Sequence, residues 1–347
     1  MTRVKVAVPV ALSVVAALVG GFAPAALAST PIVHSVATTS ELIGDACPST
    51  TFCVAVGQSP TRTQGAVVDV TNGKPAKATL VSDVVVLSAV SCASTTTCFA
   101  VGQTNKGQGA VVPITGGAPG AAVPLSSVFT LSGIACPTVT TCYAVGTTSS
   151  GTQGAVVTVT NGQPTQLKPV SAASALFGIA CWTNTACVAV GQNSGFVNGV
   201  VVPVTRGTPG TVQQISGTNT VVRVACVRGS SNCLAAGISN TQTQGIVLPI
   251  SAGNAGTVAQ VSASASLNGV GCPRPGTCLA VGNTSSFTQA VLVTVTNGIP
   301  GTAVLLPSTS SRGLFTAACP RRTVTVNCVA VGENGNSTQG VVVLDKV

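Results

Sequence analysis

The chain has 347 residues and a formal charge of +9, yet only 6% of its residues are charged and 3% aromatic. Its mean hydropathy of +0.57 comes from Ala and Val interrupted every few residues by Gly, Thr, Ser or Asn, which excludes a bundle of membrane-spanning helices. Six acidic residues and one histidine leave little material for acid–base or metal chemistry.

Residues 1–28 come first. Arg3 and Lys5 precede an apolar run that closes on a small-residue site at Ala26-Leu27-Ala28, the pattern of a secretory signal peptide cut before Ser29. No Cys follows the cut, so a lipoprotein anchor is not expected. The internal "LPSTS" at 306–310 lacks the glycine and apolar tail of a cell-wall sorting signal. The mature chain is expected to be secreted, without a membrane span. Its first segment, "TPIVHSVATTS", reads as one strand.

A repeat then begins. Cysteines pair as Cys47/Cys53, Cys92/Cys98, Cys136/Cys142, Cys181/Cys187, Cys226/Cys233, Cys272/Cys278 and Cys319/Cys328, with successive first members 44 to 47 residues apart. The number of cysteines is even and export favours oxidation, so the pairs read as disulfides. Zinc sites prefer two to four residues between ligands and a second pair or histidines nearby. Each unit runs in one order: "LSAVSC", a polar loop, "CFAVG", a turn, "GAVVPIT", a second turn, then a weaker strand such as "AAVPLS". These short Val-, Ala- and Ile-rich runs bounded by Gly, Asn, Pro and Ser predict strands. Asn72-Gly73, Asn161-Gly162 and Asn297-Gly298 are hairpin-turn signals.

Four strands in such a unit make one propeller blade. The predicted fold is an all-β, seven-bladed β-propeller with four-stranded blades and one disulfide in each. The expected blades are 40–84, 85–129, 130–174, 175–219, 220–265, 266–312, and 313–347 completed by 29–39. The last unit stops one strand short, at "GVVVLDKV", so the N-terminal strand is expected to close the ring and remove its open edges. Each cysteine pair should face itself across the hairpin between the innermost and second strands, where opposed Cα atoms lie about 4.5 Å apart. Small residues at Gly44, Ala89, Gly133, Gly178 and Gly269 suit strands crowded at the axis.

The repeat "SCASTTTCFAVG…GAVV…TNG" resembles the cysteine-paired propeller repeats of secreted actinobacterial proteins. It is more distantly similar to BNR/Asp-box and photosystem II assembly-factor propellers. The resemblance covers essentially all of 30–347 and implies the fold rather than an activity. The Asp-box pattern S-x-D-x-G-x-T-W is not kept, since the corresponding turns read "TNGKPAKA" and "TNGQPTQL".

A site in a symmetric ring should depart from the repeat. Features of every unit read as structural: the A-V-G motif, and the Gln or Asn before each third strand (Gln64, Gln108, Gln153, Asn198, Gln244, Gln289, Gln339), whose side chains should bond to loop backbone. The acidic residues Glu41, Asp45, Asp69, Asp83, Glu333 and Asp345 form no pair legible in the sequence, although glycoside hydrolysis needs two carboxylates across the scissile bond. Tyr143, the only tyrosine, falls where Phe99 and Val188 stand in other units and reads as core; His34 lies on the closing strand. No catalytic residue, metal ligand or cofactor is expected. Asn283 and Asn336 match the N-x-S/T sequon.

Two departures remain. The loops within the cysteine pairs of units 5 to 7 carry Arg228, Arg274, Arg321 and Arg322, and unit 4 puts Trp182 in the same loop. These loops should share one face, where guanidinium forks suit carboxylates or phosphates and an exposed Trp suits a sugar. In the innermost strands, Arg223 replaces the usual Gly and Asp45 the usual Val or Ile, as candidate channel residues. The expectation is a secreted, monomeric, non-catalytic binding module that recognises an anionic envelope polymer, a glycan or a protein, and not nucleic acid. Its rivals are a glycan-active enzyme of sialidase or BNR-like type and a purely structural surface protein.

Overall fold

The computed structural model describes residues 30–320 and 327–347. The signal-peptide reading and Arg321 and Arg322 lie outside the described residues. Seven antiparallel sheets stand around an axis, and no helix occurs among the described residues. The molecule is a seven-bladed β-propeller.

Blade 2 shows the plan. Its innermost strand Val84–Cys92 pairs with Thr97–Thr104, which pairs with Gly109–Thr115. Second and third strands are buried on both faces, because every blade is sandwiched between two others. That is why "GAVV" and "CFAV" read as unbroken apolar runs rather than alternating ones. The core is accordingly divided among the seams between blades. One cluster packs Phe99, Val101 and Val111 of blade 2 on Leu131, Ala144 and Val157 of blade 3.

Innermost strands begin at Glu41, Val84, Val128, Ala173, Thr218, Ser266 and Gly313. Each innermost strand carries at least one bulge. In blade 2 the register shifts between Val84 and Val86 and again between Leu87 and Ala89. A bulge frees a backbone carbonyl from the ladder, and the A-V-G glycine lies close under the same strand: a Cβ on Gly102 would collide with Val86 O. The motif is structural in each blade for that reason.

The outermost strand departs from a single run. In blades 1, 2, 4 and 5 it is two short pieces, as in Lys74–Pro75 and Thr79–Val81. Between the pairs Val70↔Pro75 and Val67↔Thr79 the outer chain has one residue more than its partner, so it must bow outward. The ring closes as the repeat implies: Ile32–Val36 pairs antiparallel with Gly340–Lys346 as the fourth strand of blade 7.

All seven disulfides lie within blades, with Cα separations of 3.9 to 4.3 Å. Cys92↔Cys98, Cys181↔Cys187 and Cys226↔Cys233 are directly opposed in register. The expectation that every pair is opposed within the ladder needs correction in the other four blades. In blade 1 the ladder ends at Ala46↔Val54, in blade 3 at Ala135↔Tyr143 and in blade 7 at Ala318↔Val329. The bridges Cys47–Cys53, Cys136–Cys142 and Cys319–Cys328 therefore lie one step beyond the last paired residues. In blade 6 the register shifts after Gly271↔Leu279, which takes Cys272–Cys278 out of the ladder too. In blades 1, 3 and 7 the bond itself holds the hairpin mouth together where backbone pairing has stopped, whereas in blade 6 pairing resumes beyond it at Arg274↔Thr277. Seven such bridges point to an oxidising, extracytoplasmic environment.

Candidate functional site

The seven cysteine hairpins open on one face and converge. The first cysteines of all seven pairs line a single funnel of about 280 Å³ around the axis, with Arg228 at its rim and Asp45 at its base. The second cysteines do not share it. Cys53 is 5% exposed and packs in the seam of blades 7 and 1, and Cys328 is fully buried in the seam of blades 6 and 7. Cys53 and Cys328 are thus core residues rather than part of an open site, because their strand is covered on both faces by neighbouring blades. The funnel narrows into an axial cavity of about 130 Å³ bounded by Asp45, Arg223 and the small residues Gly44, Ala89, Gly133 and Gly178.

Asp45 and Arg223 both border this cavity but form no ion pair among the described residues. Arg223 Nη1 donates to Phe177 O at 2.9 Å and Val222 O at 3.3 Å, and Nη2 to Ser88 O at 3.5 Å. Phe177 and Ser88 stand where two other innermost strands bulge. The guanidinium thus satisfies carbonyls that the bulges left over, tying blade 5 to blades 4 and 2. Asp45 Oδ2 accepts from Ala318 N at 3.0 Å in blade 7, while Oδ1 is sealed from water without a hydrogen-bond partner. Desolvation pushes the Asp45 carboxyl up to about 7, against the opposing pull of hydrogen bonds from Thr316 and Ala318 and of the Arg223 charge. Desolvation likewise lowers Arg223 to about 10, so it stays cationic at neutral pH.

The loop candidates separate. Arg228 is exposed and its Nη2 donates to Asn184 Oδ1 of blade 4 at 2.7 Å. Trp182 is half-buried and packs against the seam between blades 4 and 5. Arg274 turns into a groove of about 600 Å³ between blades 5 and 6, and its Nη1 is buried with no hydrogen-bond partner.

Other residues settle plainly. Tyr143 is core, 4% exposed, and burial raises its hydroxyl pKa. His34 pairs opposite Val342 in the closing strand. Asn283 is 5% exposed and bonded to Ser266 and Asn268, so the folded chain withholds it from modification, whereas Asn336 is exposed. Of the Gln and Asn preceding third strands, Gln289 bonds backbone through its amide, to Leu306 O. The glutamines ending second strands, which sequence reasoning passed over, do more. Gln58 donates to Val85 O and Gln103 to Phe129 O, each in the next blade. Their signal was their place directly after the A-V-G glycine.

The structure also brings together two carboxylates far apart in sequence. Glu41 opens the innermost strand of blade 1 and Glu333 ends the second strand of blade 7, on the face opposite the disulfides. Burial raises the Glu41 pKa, Arg62 opposes that rise, and the Glu333 charge adds to it. Glu333 is held by Arg312 at 3.3 Å.

No protein-family model matches the chain, and no curated protein matches it by sequence. Solved structures do. The WD40 propeller domain of Doa1 is 9% identical with a TM-score of 0.61, covering 88% of this chain and 93% of its own. YCF48 bound to D1 peptide is 11% identical with a TM-score of 0.58, covering 91% and 97%. Hydrazine synthase of Kuenenia stuttgartiensis is 12% identical with a TM-score of 0.64, covering 89% and 97%. At these identities the likeness concerns the propeller fold, a scaffold that hosts many functions. No helix among the described residues is long and apolar enough to cross a membrane.

Proposed function

We propose that the chain is a secreted, non-catalytic binding module of the cell envelope or extracellular space, which takes an anionic ligand, a glycan or envelope polymer, on its disulfide face. One observation carries this reading. The face on which the seven hairpins open places Arg228 at the funnel rim and Arg274 in the adjoining groove. Guanidinium groups recognise carboxylates and phosphates through paired donors. Loops that differ between blades on a rigid ring are where specificity resides. A propeller neighbour solved with a peptide bound gives precedent for the scaffold as an interaction platform, so a protein bearing an acidic segment is a further partner.

The test is binding of the purified, oxidised chain to isolated cell-envelope polymers across a salt series. The comparison is a variant with Arg228, Arg274, Arg321 and Arg322 changed to Ala. Saturable binding that weakens with salt and is lost in the variant is the expected result. Equal binding by both proteins, or none by either, would overturn the arginine face as the site.

The Glu41–Glu333 pair favours one second reading, a glycan-active enzyme. Fluorogenic glycosides decide it. Turnover abolished by Glu41→Gln or Glu333→Gln would replace the binding-module reading. The expected result is no turnover above that of the denatured chain.

A further inference from the structure

The groove between blades 5 and 6 differs from seams 2/3, 3/4 and 4/5 in what occupies it. In seam 2/3 the ring of Phe99 lies against Gly162, and in seam 3/4 that of Tyr143 lies against Gly207. Blade 4 has Val188 at the matching position, and its seam with blade 5 is filled instead by Trp182, whose ring lies near Gly253. In blade 5 both positions are small: Leu234 stands where Phe99 and Tyr143 do, and Val227 stands where Trp182 does. No aromatic ring fills the seam, and about 600 Å³ remains, within the usual size of a small-molecule pocket.

The chemistry of the walls is uneven. Val227, Leu234, Ile250 and Val295 make an apolar floor, and no acidic side chain among the described residues lines the groove. Arg274 enters from the blade 6 hairpin with its Nη1 buried and unpartnered. A buried donor on a charged group that lacks an acceptor is costly, and an incoming anion removes that cost. Asn254 and Asn297 border the groove and offer amide donors.

We propose that this seam is a binding pocket for a small amphiphilic anion, an apolar body carrying one carboxylate that pairs with Arg274. The body replaces the missing aromatic plug, and the carboxylate completes the guanidinium. The pocket deepens the reading proposed above, with which it shares Arg274; a small probe reads the seam without the funnel rim, so loss of decanoate binding and loss of polymer binding are told apart.

Calorimetric titration of the full oxidised chain with decanoate, decan-1-ol and decyltrimethylammonium tests the proposal. Decanoate should bind at one site, about 10-fold more tightly than decanol, since a charge-assisted hydrogen bond adds that much. The ammonium should not compete. Arg274→Gln should weaken decanoate about 10-fold and leave decanol unchanged. Val227→Trp, which copies blade 4, should abolish binding of both, and Leu234→Phe, which copies blade 2, supplies a second way to close the groove. Absence of decanoate binding, equal affinity for decanoate and decanol, or binding that survives both plugging substitutions would overturn the proposal.

Discussion

Asp45 is the residue whose chemistry the fold alters most. Its carboxyl titrates at about 7 in the folded chain against an ordinary 3.8. Between those values the folded chain holds a proton that the unfolded chain has released, so stability falls as pH rises through this window and is level above it. That rise corresponds to at most about 4 kcal/mol. Asp45→Asn sheds the charge and keeps an acceptor for Ala318 N–H. The variant should match the parent in urea denaturation at pH 4 and exceed it at pH 8. An identical difference at both pH values would show that Asp45 remains an ordinary carboxylate. Arg223, the opposite departure from the repeat, has bulge carbonyls of three innermost strands as its partners, which makes it an axial tie.

At the scale of elements, each blade is a small sheet stapled where its innermost hairpin turns. Closing a loop of six to nine residues' separation should contribute about 2 kcal/mol on the chain-entropy account. Replacing Cys136 and Cys142 together by Ser should therefore lower the free energy of unfolding by about 2 kcal/mol, read from guanidinium titration, with the other six bridges intact by mass. A loss near zero would mean that seam packing alone holds the hairpin. The bulged innermost strand is the other recurring device. It creates spare carbonyls, which the glutamines after the A-V-G motif and Arg223 then take up. "AVGQ" is in this sense a unit of packing whose four residues serve the strand, the close approach and the neighbouring blade.

The whole molecule is a closed ring, and closure depends on five residues from the start of the described chain. Ile32–Val36 covers the edge of Gly340–Lys346, and Val36 joins the seam of blades 7 and 1. Deleting residues 30–37 would expose that strand's unpaired backbone, a template for association. The truncated chain should lose more thermal stability than the Cys136/Cys142 variant and form concentration-dependent oligomers in light scattering. A monomer of parental stability would show that the ring does not need its closing strand.

Blade number, strand order, disulfide pairing and ring closure were all determined by the sequence alone, because each is written as local periodicity: a cysteine pair in every unit, Val-rich runs between Gly and Asn turns, and a last unit one strand short. The departures Arg223, Asp45 and Arg274 were legible too, as breaks in that periodicity. What they meet was not. Arg223 reaches Ser88, 135 residues away, and Glu41 feels Glu333, only because the ring brings its ends and opposite blades together. The cysteines divide in the same way: their pairing is local, but that Cys53 and Cys328 sink into seams while their partners line the funnel depends on the adjoining blades. Trp182 reads as a surface ring yet fills a seam, and Val227 reads as an ordinary loop residue yet leaves one open. Seams are built from side chains of two blades at once, so their filling is decided by tertiary packing and by no single repeat.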